Sequence, residues 1–107
     1  MTTQATIIGN VTRDPEVKFG SSGKAYLRLG VAVSKRQQVD GVWQDGPTSF
    51  FDVTAFGNLA ENVAATVTKG TRITATGRLE QRSFEVDGQK RSAVELIADE
   101  IGVALSR

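Results

Sequence analysis

Residues 25–34 read AYLRLGVAVS, a run in which apolar side chains alternate with other types. Because successive side chains of a β-strand point to opposite faces, this alternation predicts a strand with one buried face. The apolar face carries Leu27, Leu29, Val31 and Val33. The opposite face carries Tyr26 and Arg28 and is predicted to look outward. Other elements must cover the apolar face, which constrains the fold of the whole chain.

Runs of β-type residues between turn signals predict five strands in all, at residues 5–11, 25–34, 49–56, 71–86 and 89–101. Asp14-Pro15 marks a turn after the first strand, and Asp87-Gly88 marks the turn between the last two. The segment KRQQVDGVWQDGP is polar and contains two Asp-Gly pairs. It predicts a long projecting hairpin arm rather than a tight turn.

One helix is predicted at residues 59–68, from an apolar stripe of Leu59, Val63 and Val67 at four-residue spacing. Asn58 is placed to cap its start, and Glu61 follows three residues later, as in a capping box. Gly70 is placed to end it. Its alanines keep the helix slim, which suits a plug against a sheet.

The predicted order is three strands, the helix and two more strands. This is the element order of the OB-fold, an all-β, five-stranded Greek-key barrel that binds oligonucleotides or oligosaccharides around its second and third strands. A βαβ sheet needs helices between most strands, and a sandwich more often has about seven strands. The length of 107 residues predicts a single domain covering residues 1–107.

The composition argues against most catalytic and metal-binding chemistry. The chain contains no cysteine and no histidine, which excludes disulfides, thiolate or imidazole metal sites and histidine-based catalysis. The carboxylates are scattered and the glycines form no phosphate-binding motif, so we expect no enzymatic activity, metal or cofactor. No run of about 18 apolar residues predicts a membrane span, and we expect a cytoplasmic protein.

Three phenylalanines crowd the stretch TSFFDVTAFGNLAENV, residues 48–63. Adjacent residues of a strand face opposite sides, so Phe50 and Phe51 cannot share one core. Burying Phe50 and Phe56 would also bury Asp52, which lies on the same face, at a high desolvation cost. Phe51 is therefore predicted to face the core, and Phe50 and Phe56 to face outward.

The strand at residues 71–86 repeats this pattern. Its alternate residues that are predicted to face outward include Arg72, Arg78, Arg82 and Phe84. Exposed rings among basic residues are typical of single-strand binding, in which bases stack on aromatics and cations contact phosphates. An oligomer interface explains exposed rings equally well at this point. The net charge of +1 does not decide between them.

Three longer motifs carry a family resemblance: GNVTRDPEVKF at residues 9–19, FFDVTAFGNLAENV at 50–63 and KGTRITATGRLEQRSFEVDGQKR at 69–91. In order and spacing they resemble the bacterial single-stranded DNA-binding protein family over essentially the whole chain. The resemblance implies an OB-fold that binds single-stranded DNA without sequence preference, as a homotetramer, without enzymatic activity or cofactor. The exposed strand-one and arm surfaces are also compatible with a dimer.

The resemblance also implies site residues. The stacking positions of the family match Phe50, Phe56 and Phe84, and Trp43 near the arm tip is either a further DNA contact or a packing residue. The outward faces of the strands and the hairpins, and not the resemblance, supply the candidate phosphate contacts: Arg28, Lys35, Arg36, Arg72, Arg78, Arg82, Lys90 and Arg91.

Two expectations concern the role of the chain. It stops at GVALSR without the acidic tail of the family, so we expect either a trimmed DNA-binding domain or a tail-less relative, and no partners recruited by a tail. We expect the protein to function in DNA replication, recombination and repair. The alternatives are a primosome-type accessory protein and an OB module used only for oligomerisation.

Overall fold

The computed structural model describes residues 3–105, apart from the side chains of residues 35–37, 45 and 82. Within this range six strands and one helix follow one another: β1 (Gln4–Val11), β2 (Lys18–Phe19), β3 (Ala25–Val39), β4 (Val42–Phe56), α1 (Gly57–Thr66), β5 (Arg72–Val86) and β6 (Gln89–Val103). All five predicted strands are present. The additional strand, β2, has two residues and pairs with the start of β3; it is too short to show a period in the sequence.

The strands form one sheet in the order β1-β5-β6-β4-β3-β2, and β1 also pairs with β3. The second pairing, of Asn10 with Ala32 and Val11 with Val31, closes the sheet into a ring. Closure requires a close approach at Gly9, where a Cβ atom would collide with the backbone of Ala32. The architecture is the OB-fold that the element order predicted.

The core lies inside this ring. Its largest fully buried side chains come from alternate positions of five strands: Val11, Leu27, Leu29, Val31, Val53, Ile73 and Leu96. α1 packs against β3 and buries Ala60 and Val63, with Val67 buried just beyond its end. The apolar stripe of the helix is thus confirmed as a plug against the sheet.

The predicted ends of the helix are wrong. α1 begins at Gly57, with Phe56 as an extended N-cap and no side-chain capping bond, so Asn58 and Glu61 do not form a capping box. Gly57 has a φ of 66°, a conformation that turns the chain directly from β4 into the helix. The helix ends at Thr66, and Gly70 instead donates its backbone N–H to the carbonyl of Val11.

The arm between β3 and β4 is confirmed, but the prediction that it does not end in a tight turn is wrong. β3 and β4 stay paired as far as Val39 and Val42, and the two-residue turn at Asp40-Gly41 closes them. Both turn residues have positive φ, 53° and 78°, as a tight hairpin turn of this kind requires. A second arm, formed by β5 and β6, closes at Asp87-Gly88 as predicted.

Candidate nucleic-acid interface

The outward side of β4 exposes two phenylalanine rings. Phe50 is 74% exposed and Phe56 is 43% exposed, whereas Val53 and Ala55 on the other side are fully buried. Phe51 is partly buried and packs against the core. The division of the three phenylalanines that face parity predicted is therefore confirmed.

Phe84 lies on the same outward side as Phe50, although the two residues belong to strands that do not pair with each other. Asp52 of β4 is level with Glu95 of β6, which in turn is level with Glu80 of β5. Level residues of paired strands point to the same side of a sheet. Phe50 is two residues from Asp52 and Phe84 is four residues from Glu80. Because side chains alternate along a strand, both rings point to the same side of the sheet as these carboxylates. We call this surface of β3, β4, β5 and β6 the outer face.

Two carboxylates of the outer face, those of Glu95 and Glu80, are paired with arginines. Thr54 donates its hydroxyl to Glu95 Oε2 at 2.9 Å, and Arg28 Nη2 lies 3.7 Å from the same oxygen. Arg28 Nε also donates to the Thr54 hydroxyl at 3.5 Å. This network explains why Thr54 is buried although it points outward.

The second neutralised carboxylate is that of Glu80. Arg78 Nε donates to Glu80 Oε2 at 2.7 Å, and this hydrogen bond raises the pKa of Arg78 above its ordinary value. Asp52 differs, because its side chain makes no hydrogen bond or ion pair with the described residues.

Lys24 is a member of the site that the sequence analysis missed. Its Nζ lies 5.3 Å from the centre of the Phe56 ring, within the range of a cation–π contact. Phe56 is level with Tyr26 of β3. Lys24 precedes the predicted strand by one residue but shares the parity of Tyr26 and Arg28, and this parity was the signal that could have identified it.

A cleft of about 280 Å³ adjoins this end of the outer face. Arg13, Lys18, Tyr26 and Arg28 are among the residues that line it. The loop that forms one wall is held in place by Asp14, whose carboxylate accepts the backbone N–H of Lys69 at 2.7 Å. Asp14 and Glu16 also line the cleft, so charges of both signs continue beyond the rings toward β2.

The predicted basic residues do not all lie on one surface. Arg91 is level with Phe84, and its Nη2 donates to Gln89 Oε1 at 3.3 Å. Lys90 is level with Glu85 instead, on the opposite face of the same arm. Adjacency in sequence grouped Lys90 with Arg91, but alternation along β6 separates them.

Other predicted residues lie at the ends of the strands. Arg72 begins β5 and is level with Asn10, twelve residues or about 40 Å of strand from Phe84. Trp43 is 59% exposed and is level with Gln38, close to the tip of the first arm. The side chains of Lys35, Arg36 and Arg82 lie outside the described part of the structure, although their backbones belong to β3 and β5.

No group of three or more carboxylates in the described part of the chain could hold a metal ion. In the same residues, no helix has the length and apolar character that crossing a membrane requires. The chemistry of the outer face is accordingly that of exposed rings, hydroxyl groups, cations and carboxylates.

Comparison with known proteins gives concordant matches. The model of the single-strand binding protein family matches residues 2–104. A single-stranded DNA-binding protein of Mycobacterium leprae is 46% identical over 106 residues, covering 96% of this chain and 63% of that protein. One from Mycolicibacterium smegmatis is 44% identical over 106 residues, covering 96% and 64%. The chain thus spans less than two thirds of the length of these relatives.

A solved structure is similar over the whole fold. The crystal structure of a small single-stranded DNA-binding protein from Streptomyces coelicolor superposes with a TM-score of 0.87 at 30% sequence identity. The match covers 98% of this chain and 96% of that one.

Proposed function

Because the chain belongs to the single-strand binding protein family, we propose that its outer face binds single-stranded DNA of any sequence. The observation that carries the proposal is the set of three exposed rings, Phe50, Phe56 and Phe84, on one side of one sheet. Each base has a flat face that can stack on such a ring, which contributes about 1–3 kcal/mol per base. Bases in a duplex are already stacked on one another, so binding requires an unpaired strand.

Phosphates are contacted by cations around the rings. Lys24 and Arg91 are the best placed, since each lies beside a phenylalanine of the outer face. Arg28 and Arg78 are paired with glutamates of the same face, and we propose that they keep that face electrically neutral as well as approaching the DNA backbone. Lys35, Arg36 and Arg82 remain candidates by strand position, whereas Lys90 and Arg72 are poorly placed.

The role that follows is protection of exposed strands during DNA replication, recombination and repair, in the cytoplasm. Stacking and charge contacts involve no bond making or breaking, so the proposed function needs neither a catalytic residue nor a cofactor. Binding by stacking also gives little dependence on base sequence.

We propose that the working form is a homotetramer. From Gln4 to Gly9, β1 pairs with β5 on one side only, so its other edge has free backbone groups. Ile8 on this strand is 44% exposed. An unpaired edge with an exposed apolar side chain favours pairing with another chain.

Fluorescence anisotropy with a labelled single strand tests the function. We expect saturable binding at low salt that weakens as salt rises, and competition by unlabelled single strands but not by an equal mass of duplex. Equal competition by duplex would mean that the protein contacts the DNA backbone alone. Absence of binding to any single strand at low salt would leave oligomerisation as the role of the exposed rings.

A further inference from the structure

One of the three exposed rings of the outer face already has a cation over it. Lys24 Nζ lies over the Phe56 ring, 5.3 Å from its centre. Phe50 and Phe84 have no cation–π contact with the described side chains. The three rings therefore do not present equivalent surfaces to a base.

The turn that precedes β3 brings Lys24 to this ring. The backbone carbonyl of Lys24 accepts the N–H of Gly20 at 3.0 Å, which continues the pairing of β2 with β3 by one residue. Tyr26, two residues further along the chain, is level with Phe56 of β4. Lys24 is therefore a diagonal neighbour of Phe56, about 7–8 Å away, a distance that a lysine side chain spans.

A base cannot stack over the centre of the Phe56 ring while the ammonium stays there. Stacked rings lie about 3.5 Å apart, the optimal separation of carbon atoms in contact. With the ammonium nitrogen 5.3 Å from the ring centre, a base at that height would lie less than about 2 Å from it, far inside contact distance. Stacking on Phe56 therefore requires Lys24 to leave the ring, and the cation–π contact is lost.

The displaced ammonium is available to a phosphate. Lys24 is exposed and forms no ion pair with the described residues, whereas Arg28 and Arg78 are each paired with a glutamate. A nucleotide that stacks on Phe56 brings its own phosphate to this end of the outer face. The phosphate carries a full negative charge, so it competes with the ring for the ammonium.

We propose that a stacking base displaces Lys24 from the Phe56 ring and that the ammonium then binds the phosphate backbone of the same strand. The inference rests on the proposed function and concerns one of its three stacking positions. It assigns Lys24 two opposed effects on affinity: the lost ring contact weakens binding, and the gained phosphate contact strengthens it. Phosphate contacts weaken steeply as salt rises, so a salt series separates the two effects.

The test compares Lys24→Ala with the unmodified protein. Each would be titrated with labelled oligo(dT) of about 16 nucleotides, the upper limit for one OB domain. Near about 1 M salt a phosphate contact contributes little. There we expect the variant to bind about two- to fivefold more tightly, the range of an exposed cation–π contact.

At low salt the order should reverse. Loss of one phosphate contact lowers the slope of log affinity against log salt by about 0.7, which amounts to about eightfold between 1 M and 50 mM. We therefore expect Lys24→Ala to bind about 1.5- to 4-fold more weakly at about 50 mM. The two lines should cross between about 0.1 and 0.4 M salt.

Lys18→Ala is the matched control. Lys18 is also exposed and is level with Tyr26, but it has no cation–π contact with a described ring. Its loss can lower the salt slope but should not raise affinity near 1 M, so its line should not cross that of the unmodified protein. In the Phe56→Ala background, Lys24→Ala should likewise give no gain near 1 M, because no ring remains for Lys24 to leave.

The inference is overturned if Lys24→Ala does not bind more tightly than the unmodified protein near 1 M, because stacking then does not have to displace Lys24. It is also overturned if the gain persists in the Phe56→Ala background, since the gain then does not come from that ring. Failure of the unmodified protein to bind oligo(dT) at any salt contradicts the proposed function itself, so the two failures are distinguishable.

Discussion

Glu80 of β5 lies directly opposite Glu95 of β6, and each carboxylate is paired with a different arginine on the same face. Opposed like charges destabilise a strand pair, so the two arginines offset a repulsion built into the register. The pairs differ in exposure. The Glu95 side chain is 11% exposed and that of Arg28 is 44% exposed, whereas Arg78 and Glu80 are each close to half exposed.

This difference predicts unequal effects on stability. Arg28→Met should lower the free energy of unfolding by about 1–2 kcal/mol, because it leaves the nearly buried Glu95 carboxylate without its cation. Arg78→Met should cost less than about 1 kcal/mol, as is usual for an exposed pair. Urea denaturation of the two variants measures both values.

Glu95→Gln provides the control for this prediction. In the Arg28→Met background it should restore most of the lost stability, since an uncharged amide tolerates the site and can still accept the hydroxyl proton of Thr54. Equal losses for Arg28→Met and Arg78→Met would show that water already screens Glu95.

Removing the exposed rings should weaken DNA binding and leave the fold intact. Phe50→Ala and Phe84→Ala are each expected to reduce single-strand affinity by about 1–3 kcal/mol, the usual contribution of one stacked base. Phe19→Ala is a matched control, because this ring is 65% exposed but belongs to β2 and lies opposite Ala25, away from the outer face. Titrations monitored by anisotropy give the three affinities. A loss for Phe19→Ala as large as for Phe84→Ala would contradict the assignment of the face.

Salt dependence should separate two neighbouring cations. Arg91 is level with Phe84 on the outer face, whereas Lys90 is level with Glu85 on the other side of the arm. Each phosphate contact to a single strand contributes about 0.7 to the slope of log affinity against log salt. We expect Arg91→Ala to reduce this slope by about that amount and Lys90→Ala to leave it nearly unchanged. The opposite result would mean that DNA follows the Lys90 side of the arm.

Face alternation is the part of the structure that the sequence predicted well. Strands with one buried face show a period of two in the sequence, and this period is sufficient to assign Phe50, Phe56 and Phe84 to the outer side. It did not predict that β3 and β4 continue into the arm at residues 35–47, because the described side chains there are largely exposed on both faces and the sequence shows no period. The tight turn of the arm is formed by Asp40-Gly41. The sequence also contains Asp45-Gly46, and the residue pattern does not indicate which of the two pairs forms the turn.

Other features of the site depend on tertiary contacts. The start of α1 is set by the backbone turn at Gly57 and not by the Asn58 side chain, which capping rules favour. Pairing of Arg28 with Glu95 joins residues 67 positions apart and requires the parallel contact of β4 with β6. Asp52 was recognised as an unfavourable charge on the outer face, but its lack of a partner became evident only from the structure.

The last prediction concerns assembly. Ile8 of β1 and Val86 of the second arm are each 44% exposed, so they offer equal apolar exposure on the two surfaces that could join chains. Ile8→Glu should reduce the mass measured by light scattering from four chains toward one or two, because a carboxylate buried in an interface without a partner is strongly unfavourable. Val86→Glu should leave the mass unchanged. If Val86→Glu dissociates the protein and Ile8→Glu does not, the arms hold the assembly, and the free edge of β1 is not its interface.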